Sequence, residues 1–209
     1  MNTTIYLVRH SEPFKVHRGN VRTNETILIE NEKSPLSING EKMAEQIANY
    51  EEFKNLDLVY SSNYARAMST AKYFASINDL KVNIDYRFNE RVHGVNSWSE
   101  LPNNFEMKQF EDKNYKVGFG ESQKEVQNRM YEALYEIIKK NKGKRIAIVS
   151  HSTAIAFLLS KWCKVYYDRE YTFDDISFFD GSWKYLQTFK LEFDENIELS
   201  NIKNIKTYY

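Results

Sequence analysis

Two arginines, two histidines and a pair of serines are spaced along this chain in a way that could do chemistry. Arg9-His10 closes the run "YLVRH", so an imidazole stands beside a fixed positive charge where a stretch of apolar β-formers gives out. Repulsion from Arg9 disfavours protonation of His10, which leaves a neutral ring with a nucleophilic lone pair. Ser61 and Ser62 follow a second apolar run, "LDLVY", and Arg66 falls in the first turn of the helical pattern behind them. His151 follows a third run, "RIAIVS", and precedes a helix whose free N–H groups favour an anion. Singly, Arg66 reads as a helix-surface charge and His151 as a capping or packing residue. Recurring together at successive strand ends, they would form a small cationic pocket. A dianionic phosphate is its natural guest, because guanidinium groups bind phosphate oxygens in pairs.

Strands and helices must carry these residues to one place. "TTIYLV" (3–8) reads as a buried strand, "LDLVY" (56–60) as a second, "VNIDY" (82–86) as a third and "RIAIVS" (145–150) as a fourth. Between them lie helical patterns at 40–53, with Met43, Ala44, Ile47 and Ala48 on one face, and at 64–75 and 153–162. The clearest helix, 122–140, opens with a Ser122…Glu125 capping box and runs Val126, Met130, Ala133, Leu134 and Ile137 down one side. Aromatic-rich strands follow near "ISFF" and "WKYLQTFKLEF", and the end of the chain reads as a tail with at most one more short element. This alternation calls for an α/β fold, a three-layer sandwich with a mainly parallel central sheet flanked by helices. In such open sheets ligands bind beyond the carboxyl ends of the strands, which is where the polar residues fall. One domain over residues 1–209 is expected, with loop insertions near 11–36 and 91–121, where weak patterning and length suggest function.

Composition narrows the partners. Lys plus Arg equals Asp plus Glu at 29 each, so no global basic field draws nucleic acid or an anionic membrane. The single cysteine, Cys163, excludes an intramolecular disulfide framework and a C-x-x-C metal site, and reads as a core or helix-surface residue. "MNTTIYLVRH" has no basic leader, and its apolar run is too short for a signal peptide or a membrane span, so a cytoplasmic location is expected. His17 and His93, the other two histidines, lie in the long loops, and no H-x-H, H-x-x-x-H or H-E-x-x-H spacing supports a metal. No metal and no cofactor are expected.

Six segments in order resemble one known family. "LVRHSEP" is similar to the L-V-R-H-G-E signature of the histidine phosphatase superfamily, the phosphoglycerate mutase-like enzymes. "SPLSINGEKMAEQIA", "VYSSNYARAMSTA", "FNERVHG", "FGESQKEVQNRM" and "RIAIVSHSTAIAFLL" resemble its later segments and span residues 5 to 159 with the first. The resemblance implies a phosphoglycerate mutase-like fold, phosphate binding by Arg9, Arg66 and His151, a nucleophilic His10 and Glu90 as general acid. It also implies a protonated His151 that adds positive charge. The chain departs from the pattern at Ser11 and Ser152, where the family has glycine, and at Asn63, where it has a proline. The two serine hydroxyls are candidates to add donors to the phosphate, and Asn63 is expected to be harmless at a helix start.

The leading expectation is a metal-independent phosphatase that hydrolyses a small phosphorylated metabolite through a phosphohistidine. A cofactor-dependent phosphoglycerate mutase is the alternative. "NER" at the acid loop leans that way, but "HSTA" replaces the mutase-like H-G-N-S, and residues 91–121 carry only Arg91, Lys108, Lys113 and Lys116 as cations. A catalytically weak protein that binds a phospho-ligand or a partner is the reading from another class, since a fold alone proves no activity.

Overall fold

The computed structural model describes residues 2–15 and 31–206. Strand β1 (Thr3–Arg9) leads towards helix α1 (Ile38–Ala48), and β2 (Leu58–Ser61) is followed by α2 (Ala65–Ser76) and the short β3 (Val82–Ile84). Then come α3 (Phe105–Glu111), α4 (Gln123–Lys140), β4 (Arg145–Ser150) and α5 (Ser152–Leu159). The chain ends with the hairpin β5 (Tyr171–Phe173) and β6 (Ile176–Phe179), then β7 (Thr188–Phe193) and β8 (Leu199–Ile205). The six-stranded sheet has the order β3-β2-β4-β1-β7-β8. Its first four strands are parallel, and β7 and β8 are added antiparallel.

The continuous apolar runs of β1 and β4 have one cause: both strands are central and buried on both faces. Ile5 and Leu7 of β1, with Ile146 and Ile148 of β4, pack under α4 and α5. Tyr6 and Val8, with Ala147 and Val149, pack under α1 and α2. The α4 stripe of Val126, Met130, Ala133, Leu134 and Ile137 supplies the first layer, and both halves of the Ser122–Glu125 capping box are made. Met43, Ala44, Ile47 and Ala48 supply the other.

Three sequence expectations need correction. The helix expected over 40–53 stops at Ala48, capped by Asn49, and only a single 3₁₀ turn follows at Glu51–Phe53. Residues 91–121 contain α3 and a 3₁₀ turn at Trp98–Glu100, too short to show a helical period. The supposed tail holds β8, a seven-residue strand paired along β7. Asp194 Oδ1 accepts the N–H groups of Asn196 and Glu198 at 2.9 Å each and turns the chain back. β8 is an edge strand with only Ile202 buried, so it lacks the apolar alternation that marks a strand in sequence.

Candidate active site

The parallel register levels the strand ends. Arg9 pairs with Ser150, and Ser61 lies opposite Val149. One residue further on, the His10 N–H donates to the Ser150 carbonyl at 3.0 Å and the Ser62 N–H to the Val149 carbonyl at 3.0 Å. His10, Ser62 and His151 therefore emerge side by side from three neighbouring strands. The His10 and His151 rings lie 5.1 Å apart, centroid to centroid, and both are buried.

His10 is held in one tautomer. A carbonyl oxygen only accepts, so the 2.7 Å contact with the Ser11 carbonyl makes Nδ1 the donor and leaves the lone pair on Nε2. Arg66 Nε–H points at that lone pair from 3.0 Å. Burial, then the charges of Arg66 and Arg9, hold His10 well below the ordinary histidine pKa.

Arg66 reaches the site from the first turn of α2, stacked over Tyr64 at 5.1 Å. Its Nη2 donates to His151 Nδ1 at 3.0 Å, which leaves His151 Nε2–H to donate to Ser62 Oγ at 2.8 Å. In this arrangement Nδ1 accepts and Nε2 carries the proton. Burial, then Arg66 and His10, press the His151 pKa well below the ordinary histidine value. Arg66 also donates through Nη1 to the Asn31 carbonyl and through Nη2 to Asn31 Oδ1. The two Asn31 oxygens occupy the fork as two phosphate oxygens would. Arg9 donates through Nη1 to the Trp183 carbonyl at 3.1 Å and lies 5.0 Å over the Tyr185 ring. A cleft of about 480 Å³ lies over His10 and Arg66, with Phe14, Lys15 and Asn31 at its margins.

Glu90 follows a 3₁₀ turn, Tyr86–Phe88, and lies against the start of α5. Its Oε1 accepts the N–H groups of Arg91 and Ala154 at 2.9 Å each, and its Oε2 that of Thr153 at 3.4 Å. The acid loop is fastened from several sides. Ser150 Oγ donates to the Phe88 carbonyl at 2.7 Å, and Asn63 N–H to Asn89 Oδ1 at 3.0 Å. Asn63 is thus more than harmless, since the family's proline would lack that donor. Gly94 ends the loop with φ +82°, where a Cβ would lie 1.8 Å from the Val117 carbonyl oxygen.

Two further residues brace this loop. Arg129 of α4 grips both carboxylate oxygens of Glu121 (2.7 and 2.9 Å). It also donates to the carbonyls of Arg87, Asn89 and Glu90 at 2.7, 3.0 and 3.2 Å. Glu121 Oε2 in turn accepts Val92 N–H at 2.9 Å. The "GES…R" spacing was the available signal, but the backbone acceptors that give it meaning leave no mark in a sequence.

The two serines differ. Ser11 is fully buried; its hydroxyl donates to the Gly40 carbonyl at 2.7 Å and its N–H to Thr70 Oγ1 at 3.0 Å. Its hydroxyl is committed to the scaffold rather than to a phosphate. Gly40 permits the contact, because a Cβ there would lie 2.2 Å from the Glu12 carbonyl oxygen. Ser152 is half-buried in the first turn of α5. Of the remaining residues singled out, Cys163 is a buried thiol pushed up to about 12 by burial, and His93 packs edge-on to Trp98 at 4.7 Å. His17 lies outside the described residues. Among the described residues no three His, Cys, Asp or Glu side chains are grouped to hold a metal ion, and no helix is long and apolar enough to cross a membrane.

Comparison with known proteins gives the family and the fold. The family model described as histidine phosphatase superfamily (branch 1) matches residues 5–178. A probable phosphoglycerate mutase GpmB of Escherichia fergusonii is 29% identical over 164 residues, covering 75% of this chain and 73% of the relative. Mycobacterial glucosyl-3-phosphoglycerate phosphatase shares the fold at TM-score 0.68 and 17% identity, over 98% of this chain and 97% of that one. A phosphoserine phosphatase mutant of Entamoeba histolytica, solved with phosphoserine, does so at TM-score 0.64 and 20% identity, over 96% of each chain.

Proposed function

Since the chain belongs to the histidine phosphatase superfamily, we propose that it is a metal-independent phosphatase acting on a small phosphomonoester. The observation that carries this reading is the His10 ring, with Nδ1–H tied to the Ser11 carbonyl and the Nε2 lone pair turned towards Arg66. A phosphoryl group seated between Arg9, Arg66 and His151 takes over the contacts that Arg66 makes with Asn31 and His10. Nε2 attacks phosphorus and the ester P–O bond breaks, while Glu90 delivers a proton to the departing alkoxide. Water then attacks the phosphohistidine, Glu90 removes its proton, and phosphate leaves with the Nε2 lone pair restored. Dianionic phosphate raises the proton affinity of His151 as it binds, so positive charge develops there only with the ligand in place. Catalysis rests on positioning and charge neutralisation, which phosphoryl transfer needs most. The same reading makes residues 1–209 one domain working in the cytoplasm on a soluble metabolite, in keeping with the even charge balance and a single buried thiol.

The name of the relative at 29% identity favours a second reading, mutase chemistry. A mutase must keep its phosphohistidine from water and return the phosphoryl group to a second hydroxyl. Given 3-phosphoglycerate and a bisphosphoglycerate primer, the protein is expected to release inorganic phosphate faster than it forms 2-phosphoglycerate. A coupled assay for each product decides between them, and rapid isomerisation with negligible phosphate release reverses the ranking.

A further inference from the structure

A second cavity, of about 120 Å³, is lined by other residues, two of which are hydrogen-bonded to the site. Thr153, whose N–H donates to Glu90 Oε2, lines it, and so does Trp183, whose carbonyl accepts from Arg9. It therefore adjoins the proton donor through Thr153 and one arm of the phosphate clamp through Trp183. Its chemistry is unlike that of the phosphate cleft. The lining carries two carboxylates, Glu106 and Asp168, and four aromatic rings, Phe110, Tyr167, Tyr171 and Trp183, with no lysine or arginine. Arg91 is close but buried, at 2% exposure, and its Nη2 is bound to Glu106 Oε1 at 2.6 Å. Its charge is thereby offset, and Asp168 is left to set the sign.

Resting on the phosphatase reading, we propose that this cavity is the leaving-group subsite and selects phosphomonoesters whose alcohol carries a protonated amine. Aromatic faces and carboxylates together suit an ammonium group, the first through ring quadrupoles and the second through charge. A carboxylate-bearing alcohol meets repulsion in the same place. Burial, then Asp168 and Glu106, push the Tyr167 phenol up, as expected where the field is negative. The amine keeps its proton throughout; only the ester P–O bond breaks, and the amino alcohol leaves.

The test compares kcat/KM for O-phosphoethanolamine, n-propyl phosphate and phosphoglycolate, with p-nitrophenyl phosphate as a control for basic phosphatase function. The amine is expected to exceed its propyl isostere by roughly 10-fold or more, and phosphoglycolate to fall below both. Asp168→Asn is expected to bring the amine-to-propyl ratio down several-fold; asparagine tolerates the left-handed backbone there, at φ 48°. Glu106→Gln, which keeps an acceptor for Arg91, serves as a second variant and moves the ratio the same way. Equal turnover of amine and propyl ester with p-nitrophenyl phosphate hydrolysed overturns this inference and leaves the phosphatase reading standing. A ratio that neither variant moves overturns the cavity's assignment. No hydrolysis of any ester, p-nitrophenyl phosphate included, removes the phosphatase reading and this inference with it.

Discussion

Substituting His10 by alanine is expected to lower turnover of every phosphomonoester by on the order of 10⁴–10⁶-fold, the scale of losing a covalent nucleophile. The loss should be uniform, because it removes the phosphorus acceptor itself and not a contact with one alcohol. Arg66 Nε loses an acceptor in the same change, but its other contacts, to Asn31 and His151, remain. Phosphate affinity is therefore expected to fall far less than turnover. Denaturation in alkali during turnover, with radiolabelled substrate, should trap labelled protein from the wild type and none from the variant. Labelled protein from His10→Ala, or a loss confined to some substrates, would remove His10 from its role.

Glu90→Gln is expected to separate the two half-reactions. Glutamine keeps an oxygen to accept from Ala154 N–H and the neighbouring amides, so the loop can hold its place. It has no transferable proton. With an alkyl phosphate, whose alkoxide is a poor leaving group, phosphorylation of His10 should slow by roughly 10²–10⁴-fold. With p-nitrophenyl phosphate the phenolate departs unaided, and this step should slow much less. Dephosphorylation lacks its base with either substrate, so phosphoenzyme should accumulate in a single turnover of the aryl ester. Equal losses in phosphorylation for both esters would assign the proton to another carboxylate. Glu106 at the adjoining cavity would then be the first to test, and Glu100 the second.

What could be read without coordinates follows burial. β1 and β4 are legible because central strands are apolar on both faces, and α4 because its stripe and capping box are both local signals. His10, Arg66 and His151 are legible because each stands within five residues of the end of a strand, and those strands end at the same level. Glu90 is different. Nothing in "NERVHG" marks it apart from family resemblance, and its place depends on Ser150, Asn63 and Arg129, all remote in sequence. The edge strand β8 and the short α3 escaped because neither buries enough of one face to impose a period. The cavity beside Trp183 draws residues from α3, the start of α5 and the 167–183 segment, and such a meeting has no linear signature.

The two buried, neutral histidines tie the protein's resistance to acid to its own active site. Both rings titrate well below 6.5 when folded, whereas in the unfolded chain they take up protons near that value. Below about pH 6.5 the unfolded state therefore binds more protons, and stability falls as pH falls, by roughly 1.4 kcal/mol per pH unit for each ring until the folded values are reached. Two rings together give a slope of about 2.8 kcal/mol per unit on the same basis. An oxyanion at the site favours the protonated form of His151, so it should flatten that slope as well as raise the melting temperature. Melting curves at pH 7.0 and 5.5, with and without vanadate, are expected to show a larger gain from the anion at the lower pH. An equal gain at both would mean that the histidines do not gain protons on binding.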